Sequence, residues 1–258
     1  MKRSIATLSI PALLVLGGVA APAEDARGLW EQVVQAKGGH ERLHGIKTLA
    51  VYMKPVRQVL FTPAATWFFV FPDRYFEYDG PGSGEYPYAS AKGVGLAPSP
   101  RCLVVNGSTD RIAMDATGIP HTVWTLTPIE RDRLTLNQLV YLLESAWLQP
   151  IPVSSRGRAL TVEAGGRTFE LSLNGSHLPE RIVSAALPGE KSKNIYDYRL
   201  LHYREVDGIA LPARVIWTVN RQAQWTWDVD YEINGRYNPK FFEHMPDLAL
   251  GPEPWRRP

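Results

Sequence analysis

The second half of the chain alternates apolar and polar residues with the two-residue period of half-buried strands. The pattern is clearest at its end, where Trp225, Trp227, Val229, Tyr231 and Ile233 interleave with Thr226, Asp228, Asp230 and Glu232. One face of that strand is to be buried and the other wet. Leu160 and Val162 lead to Gly165-Gly166, and Phe169, Leu171 and Leu173 lead to Asn174-Gly175, two strands each followed by a turn. Extended segments follow over 182–187, 195–203 and 211–219, separated by Pro188-Gly189, Asp207-Gly208 and Asn220. His202 alternates in phase with Tyr196, Tyr198 and Leu200 and is read onto the same apolar face.

The first half mixes periods. Leu29, Trp30, Val33, Val34 and Ala36 fall at helical spacing before Gly38-Gly39, which predicts a short amphipathic helix with a glycine stop. Strand character follows over 48–53, resumes over 57–61, and returns over 66–78, where Trp67 to Phe71 put apolar groups on both faces. Pro72-Asp73 interrupts that segment. Residues 80–100, rich in Gly, Pro, Ser and Tyr, have no period and read as a long loop able to act as a lid. Residues 102–105 are extended, and Asn106-Gly107 turns a hairpin that returns through 111–115. From 128 to 148 Leu136, Leu139, Val140, Leu143 and Trp147 recur near 3.6 residues, which predicts the one long helix, ended by Pro150 and Pro152. The sum is mainly β with some α: an antiparallel meander curling into a barrel or half-barrel.

The N-terminus changes where this domain is expected to live. Lys2 and Arg3 precede an apolar stretch from 5 to 19, and Ala21-Pro22-Ala23 supplies small residues at a cleavage position, the pattern of a secretory signal peptide. Pro11 and Gly17-Gly18 interrupt a run shorter than the roughly 20 residues a membrane span needs. We therefore divide the chain into a signal peptide at 1–23, one β domain at 24–247 and a Pro-rich tail at 248–258, in which the basic pair Arg256-Arg257 is read as solvated. The expected compartment is the periplasm. Cys102 is the single cysteine, so no internal disulfide forms and the core alone must hold the fold; the thiol is read as a small buried side chain.

Charge excludes one class of partner. Of 28 Lys and Arg, losing Lys2 and Arg3 leaves 26 against 26 Asp and Glu, a balance that does not favour nucleic acid. Catalytic signals are absent too. No Gly-x-Ser-x-Gly elbow occurs, since Gly82-Ser83-Gly84 lies in the loop, and Gly93-Val94-Gly95 lacks the helix of a phosphate-binding turn. Asp228 and Asp230 share a strand face on which a carboxylate pair could act, but their alternation with tryptophans reads as a wet face. His40 and His44 are four apart, yet Gly38-Gly39 is read as ending the helix that would align them, so neither metal nor cofactor is expected. The chain is read as a non-enzyme.

The order of short motifs carries a resemblance. Phe71-Pro72-Asp73-Arg74-Tyr75 is followed by Leu103-Val104-Val105-Asn106-Gly107, Leu178-Pro179-Glu180-Arg181-Ile182, Tyr198-Arg199 and Val206-Asp207-Gly208-Ile209-Ala210-Leu211-Pro212. Asn238-Pro239 and Phe241-Phe242 close the series. This succession, spanning nearly all of the chain after the signal peptide, resembles the LolA/LolB-like outer-membrane lipoprotein-carrier superfamily. The resemblance implies an unclosed antiparallel barrel plugged by helices, with lipid or lipidated cargo and a membrane or envelope partner protein. In the lipoprotein carrier itself an arginine before the proline of the aromatic strand helps hold a helical lid shut; the corresponding position here is Phe71. That difference points to a relative with a different ligand.

The candidate lining of an apolar cavity is Trp67, Phe69, Phe71, Tyr198, Trp217, Trp225 and Trp227. The alternative reading is an accessory module that uses the same fold to bind a partner protein.

Overall fold

The computed structural model describes residues 23–56, 64–79, 101–106, 109–111, 128–184, 195–220, 223–243 and 254–256. The signal peptide expected at 1–23, all but Ala23, the extended segment expected at 57–61 and the loop expected at 80–100 lie outside these. The chain begins with α1 (Ala23–Lys37) and α2 (His40–His44), then β1 (Thr48–Pro55), β2 (Ala65–Val70), β3 (Arg74–Asp79), β4 (Arg101–Asn106) and β5 (Thr109–Arg111). Helix α3 (Pro128–Leu142) precedes β6 (Ile151–Arg156), β7 (Ala159–Ala164), β8 (Arg167–Leu173) and β9 (Pro179–Ser184). Three long strands, β10 (Tyr196–Val206), β11 (Ile209–Val219) and β12 (Ala223–Ile233), complete the sheet.

All twelve strands belong to one sheet in the order β5-β4-β3-β2-β1-β12-β11-β10-β9-β8-β7-β6. Every neighbouring pair is antiparallel. Two meanders therefore meet where β1 pairs β12, with Leu49 opposite Ile233 and Met53 opposite Val229. The ends β5 and β6 are not paired with each other among the described residues, so the sheet is an unclosed antiparallel barrel, as expected. Because β5 and β6 are opposite ends of the order, the connection carrying α3 must pass from one edge of the sheet to the other.

Helices cover one face. Trp30, Val33 and Val34 of α1, Leu43 of α2, and Leu139 and Val140 of α3 pack into one apolar core with alternate residues of the strands. The other face has its own smaller core over β1 to β4: Ala50, Phe68, Val70, Phe76 and Val104 are covered by Phe242 and Trp255. Strand β2 is consequently buried at all six positions, as its two-faced apolar pattern requires. The C-terminal stretch at 254–256 joins this second core through Trp255, while Arg256 stays exposed. Trp255 is buried, its ring 4.4 Å from Phe68 and tilted only 7°, and Arg256 pairs with Glu232 and donates to the Tyr52 hydroxyl at 3.1 Å.

Three expectations are corrected. Helix α3 stops at Leu142, six residues short of 148. Leu143 takes a left-handed conformation, φ 68°, its N–H still bonded to Leu139 O at 3.0 Å. The Ser145 hydroxyl then accepts the N–H groups of Trp147 and Leu148 at 3.2 and 3.0 Å. This local bonding competes with helix and outweighs the continuing apolar period, leaving Trp147 exposed. Strand β6 then starts at Ile151, although Pro152 reads as a breaker; an edge strand tolerates proline because its outer N–H groups need no partner. His202 is exposed, because its own φ of 54° ends the alternation that buries Tyr198 and Leu200.

Gly38 is where α1 meets the β10–β11 turn. Its φ is +140°, and an added Cβ would stand 2.7 Å from the Gly208 carbonyl oxygen. Backbone cannot give as a flexible side chain can. Gly38→Ala is therefore expected to lower the unfolding free energy by about 2–4 kcal/mol, strain plus overpacking, read as a fall in the urea midpoint.

Candidate functional site

The alternation of β12 fixes which face the aromatic residues share. Trp227 and Val229 are buried with Trp225 and Tyr231 packed alongside, while Asp228 and Asp230 are exposed. Asp228 pairs with Arg214 at 2.8 Å and Asp230 with Arg204 at 2.5 Å, so this carboxylate pair is tied up in surface ion pairs. The Arg204 hydrogen bond, opposed by partial burial and helped by its charge and by Lys54, holds the Asp230 carboxyl below its usual range. A glycosidase role for the two is not supported by this arrangement.

All seven predicted lining residues lie on the helix-covered face. Four form one stack: Trp217 is 4.8 Å from Trp225, 6.3 Å from Trp227 and 5.9 Å from Tyr198, all within 28° of parallel. Tyr196, which the sequence reading left out, extends the stack at 6.5 Å from Trp217. The other three gather on the far side of the β1–β12 junction, with Phe69 stacked on Phe71 at 6.0 Å. Trp67 instead meets Tyr141 of α3 edge-on at 5.8 Å, and Tyr141 meets Tyr231 of β12 at 5.9 Å. Tyr141 thus bridges Trp67 of β2 and Tyr231 of β12 from above. Burial pushes its phenol well above the ordinary tyrosine range, so its hydroxyl stays neutral. Only the 3.6-residue period of α3 could have nominated it.

Polar atoms are also sealed under the helices. Asn137, one turn before Tyr141, is fully buried, and neither its amide nitrogen nor its carbonyl oxygen has a hydrogen-bond partner among the described residues. The same holds for the Trp67 indole N–H, on a residue that touches Tyr141. Lys37, the last residue of α1, is fully buried with its ammonium 5.3 Å from the Tyr203 ring centroid. Burial lowers its pKa to about 7. Such groups cost about 1–3 kcal/mol each when left unsatisfied.

A second constellation overturns the reading of His40 and His44. Gly39, at φ 84°, does end α1, but its carbonyl accepts Leu43 N–H at 3.1 Å and so opens α2. One turn of new helix aligns the two imidazoles, centroids 5.8 Å apart. The left-handed Leu143 turns the chain so that Glu144, with 4% of its side chain exposed, meets both. His40 Nδ1 lies 2.5 Å and His44 Nε2 3.2 Å from Glu144 Oε1, while Glu31 of α1 lies 2.8 Å from His40 Nε2. The Glu31 hydrogen bond raises the His40 pKa, partial desolvation opposes it, and the Glu144 charge adds to the rise. No sequence spacing could pair 40 with 144; the crossing of α3 does so.

No family model and no curated protein matches this chain. Solved structures that resemble it include a LolA superfamily protein from Nitrosomonas europaea, 11% identical over 83% of this chain and 98% of that one, TM-score 0.40. A DUF1329 family protein from Desulfovibrio piger is 10% identical over 85% and 97%, TM-score 0.39. A putative outer membrane lipoprotein-sorting protein domain from Vibrio parahaemolyticus is 10% identical over 85% and 97%, TM-score 0.36. At such low identity and TM-score nothing about activity or cargo transfers from them. The structures to which this chain is similar include LolA superfamily and outer membrane lipoprotein-sorting proteins, as the resemblance in its sequence led us to expect.

Proposed function

We propose that this protein binds a hydrophobic ligand of the acyl-chain class, free or as part of a lipidated cargo, between the aromatic face of its sheet and helices α1 and α3. The observation that supports this reading is the pairing of an aromatic face with buried polar atoms, Asn137 of α3 and the Trp67 N–H of β2, that have no hydrogen-bond partner among the described residues. An apolar interior fixes the orientation of a ligand with a few such groups. An acyl chain supplies what the face rewards, about 0.8 kcal/mol per CH₂ removed from water, and a polar head supplies what Asn137 lacks. Binding needs no catalytic group, and export to the periplasm would place the protein among envelope lipids. No helix among the described residues is long and apolar enough to cross a membrane.

Extracting the purified protein and identifying co-purified lipids by mass spectrometry tests this. A stoichiometric acyl-chain lipid is expected, and a fluorescent fatty-acyl probe should bind Trp217→Ala at least tenfold more weakly, since the stack centres on that ring. Recovery of no lipid from several expression conditions, with probe binding unchanged in the variant, would sink the reading. The alternative, an accessory module for a partner protein, draws on the exposed Trp147, Ile151 and Val153 around edge strand β6. It predicts a stoichiometric protein partner lost on Ile151→Lys, with no bound lipid.

A further inference from the structure

We propose that His40, His44 and Glu144 bind a single divalent transition-metal ion, zinc being the ion their donor set suits, with Glu31 orienting His40. One ligand atom from each of the three lies within 4.8 Å of the other two. Two imidazoles and one carboxylate are a common zinc donor set, and the same residues reject magnesium and calcium, which prefer oxygen alone.

The convergence of the donor atoms carries the assignment, and the hydrogen bonds are compatible with it. Glu31 is a carboxylate, so at 2.8 Å it accepts the Nε2–H of His40. A neutral His40 then turns its Nδ1 lone pair to Glu144 Oε1 at 2.5 Å, where a cation can take the place of the proton that an imidazolium would donate there. His44 Nε2 is buried and 3.2 Å from the same oxygen, yet makes no hydrogen bond to it. Three donor atoms thus converge on one point from two segments about a hundred residues apart in sequence, and the carboxylate among them is 4% exposed. A buried carboxylate needs a compensating charge.

Ligand atoms held about 2.0–2.1 Å from zinc in a tetrahedron stand roughly 3.3 Å apart. The 3.2 Å contact already matches, and the 2.5 Å contact opens by under an ångström. Glu31 behind His40 is the carboxylate–histidine–metal relay that fixes ring orientation in such sites. With His40 and His44 partly exposed, the ion can enter from solvent, and a fourth position stays open for water. Bound there, it ties α2 to the residue that follows α3, and so fastens the crossing helix to the N-terminal pair.

The test uses the full chain without an affinity tag, stripped with chelator and titrated with Zn²⁺ by calorimetry, with metal content measured after dialysis. One zinc per chain and a raised thermal midpoint are expected. His40→Ala and His44→Ala should each weaken binding at least tenfold, and Glu31→Gln by about 10–100-fold with the stoichiometry kept. Co²⁺ in place of zinc should give a visible absorption spectrum that changes in His44→Ala. Glu144→Gln removes a buried charge and can fail to fold, so the partly exposed His44 carries the decision, with circular dichroism confirming its fold. Uptake of no zinc, or uptake unaffected by both histidine substitutions, overturns the assignment.

Discussion

Trp255→Ala is expected to lower the unfolding free energy by about 3–5 kcal/mol, the usual cost of emptying a buried tryptophan site. The residue is 1% exposed. It lies flat on Phe68 of β2 at 4.4 Å, meets Phe76 of β3 at 5.3 Å and 63°, and meets Phe241 at 6.3 Å. Its carbonyl accepts the Asn238 N–H at 2.7 Å, and its neighbour Arg256 reaches Glu232 of β12. The tryptophan is therefore the lid of the second core, where Phe241, Phe242 and Tyr237 also pack against Phe68 or Phe76. For a chain of this length each kcal/mol moves the thermal midpoint by about 2–4 °C, so a fall on the order of 10 °C is expected by differential scanning calorimetry. Trp147→Ala, at an exposed site, should change stability by no more than about 0.5 kcal/mol. Equal effects from the two would refute the assignment of Trp255 to a core.

Lys37→Met is expected to stabilise the protein near neutral pH by about 2–4 kcal/mol and to remove a pH dependence. Lys37 is fully buried, its ammonium has no hydrogen-bond partner among the described residues, and burial lowers its pKa from 10.5 to about 7. Between those values the unfolded chain holds the proton and the folded chain does not. Stability therefore rises with pH from about 7 towards 10.5 and is lowest below 7, where the folded state carries the buried charge. Each unit of the shift corresponds to about 1.4 kcal/mol. The Tyr203 ring at 5.3 Å offsets part of the cost, since a ring face attracts an ammonium by about 0.5–2 kcal/mol. Methionine keeps the length of the chain without the charge. Urea unfolding of both proteins from pH 6 to pH 10 decides it: an upward slope in the wild type that persists unchanged in the variant would show that Lys37 is not its source.

These two residues mark where sequence and tertiary structure divide. The alternation along β12 determined the buried and wet faces of that strand, because side chains in a strand must point to opposite sides. The apolar run of β2 determined burial on both faces, and Asp207-Gly208 the hairpin between β10 and β11, where both residues take positive φ. Which face the seven aromatic candidates share was not fixed by the sequence; strand register and the packing of the helices decided it. Periodicity says nothing, however, about partners distant in sequence. It did not show that Trp255 closes a second core, that Lys37 points inward, or that Tyr141 joins Trp67 to Tyr231.

Helix ends were decided by competition between local bonds. Period alone carried α3 to 148, and Ser145 with the left-handed Leu143 ended it at Leu142. The same turn put Glu144 against His40 and His44, whose alignment rests on Gly39 starting a helix as well as ending one. The sequence by itself determined which residues could lie on one face of a strand or helix, since that follows from backbone geometry. Only the tertiary structure decided which faces meet, because the contacts of Trp255 and Glu144 depend on the chain passing from one edge of an unclosed sheet to the other and then returning behind it.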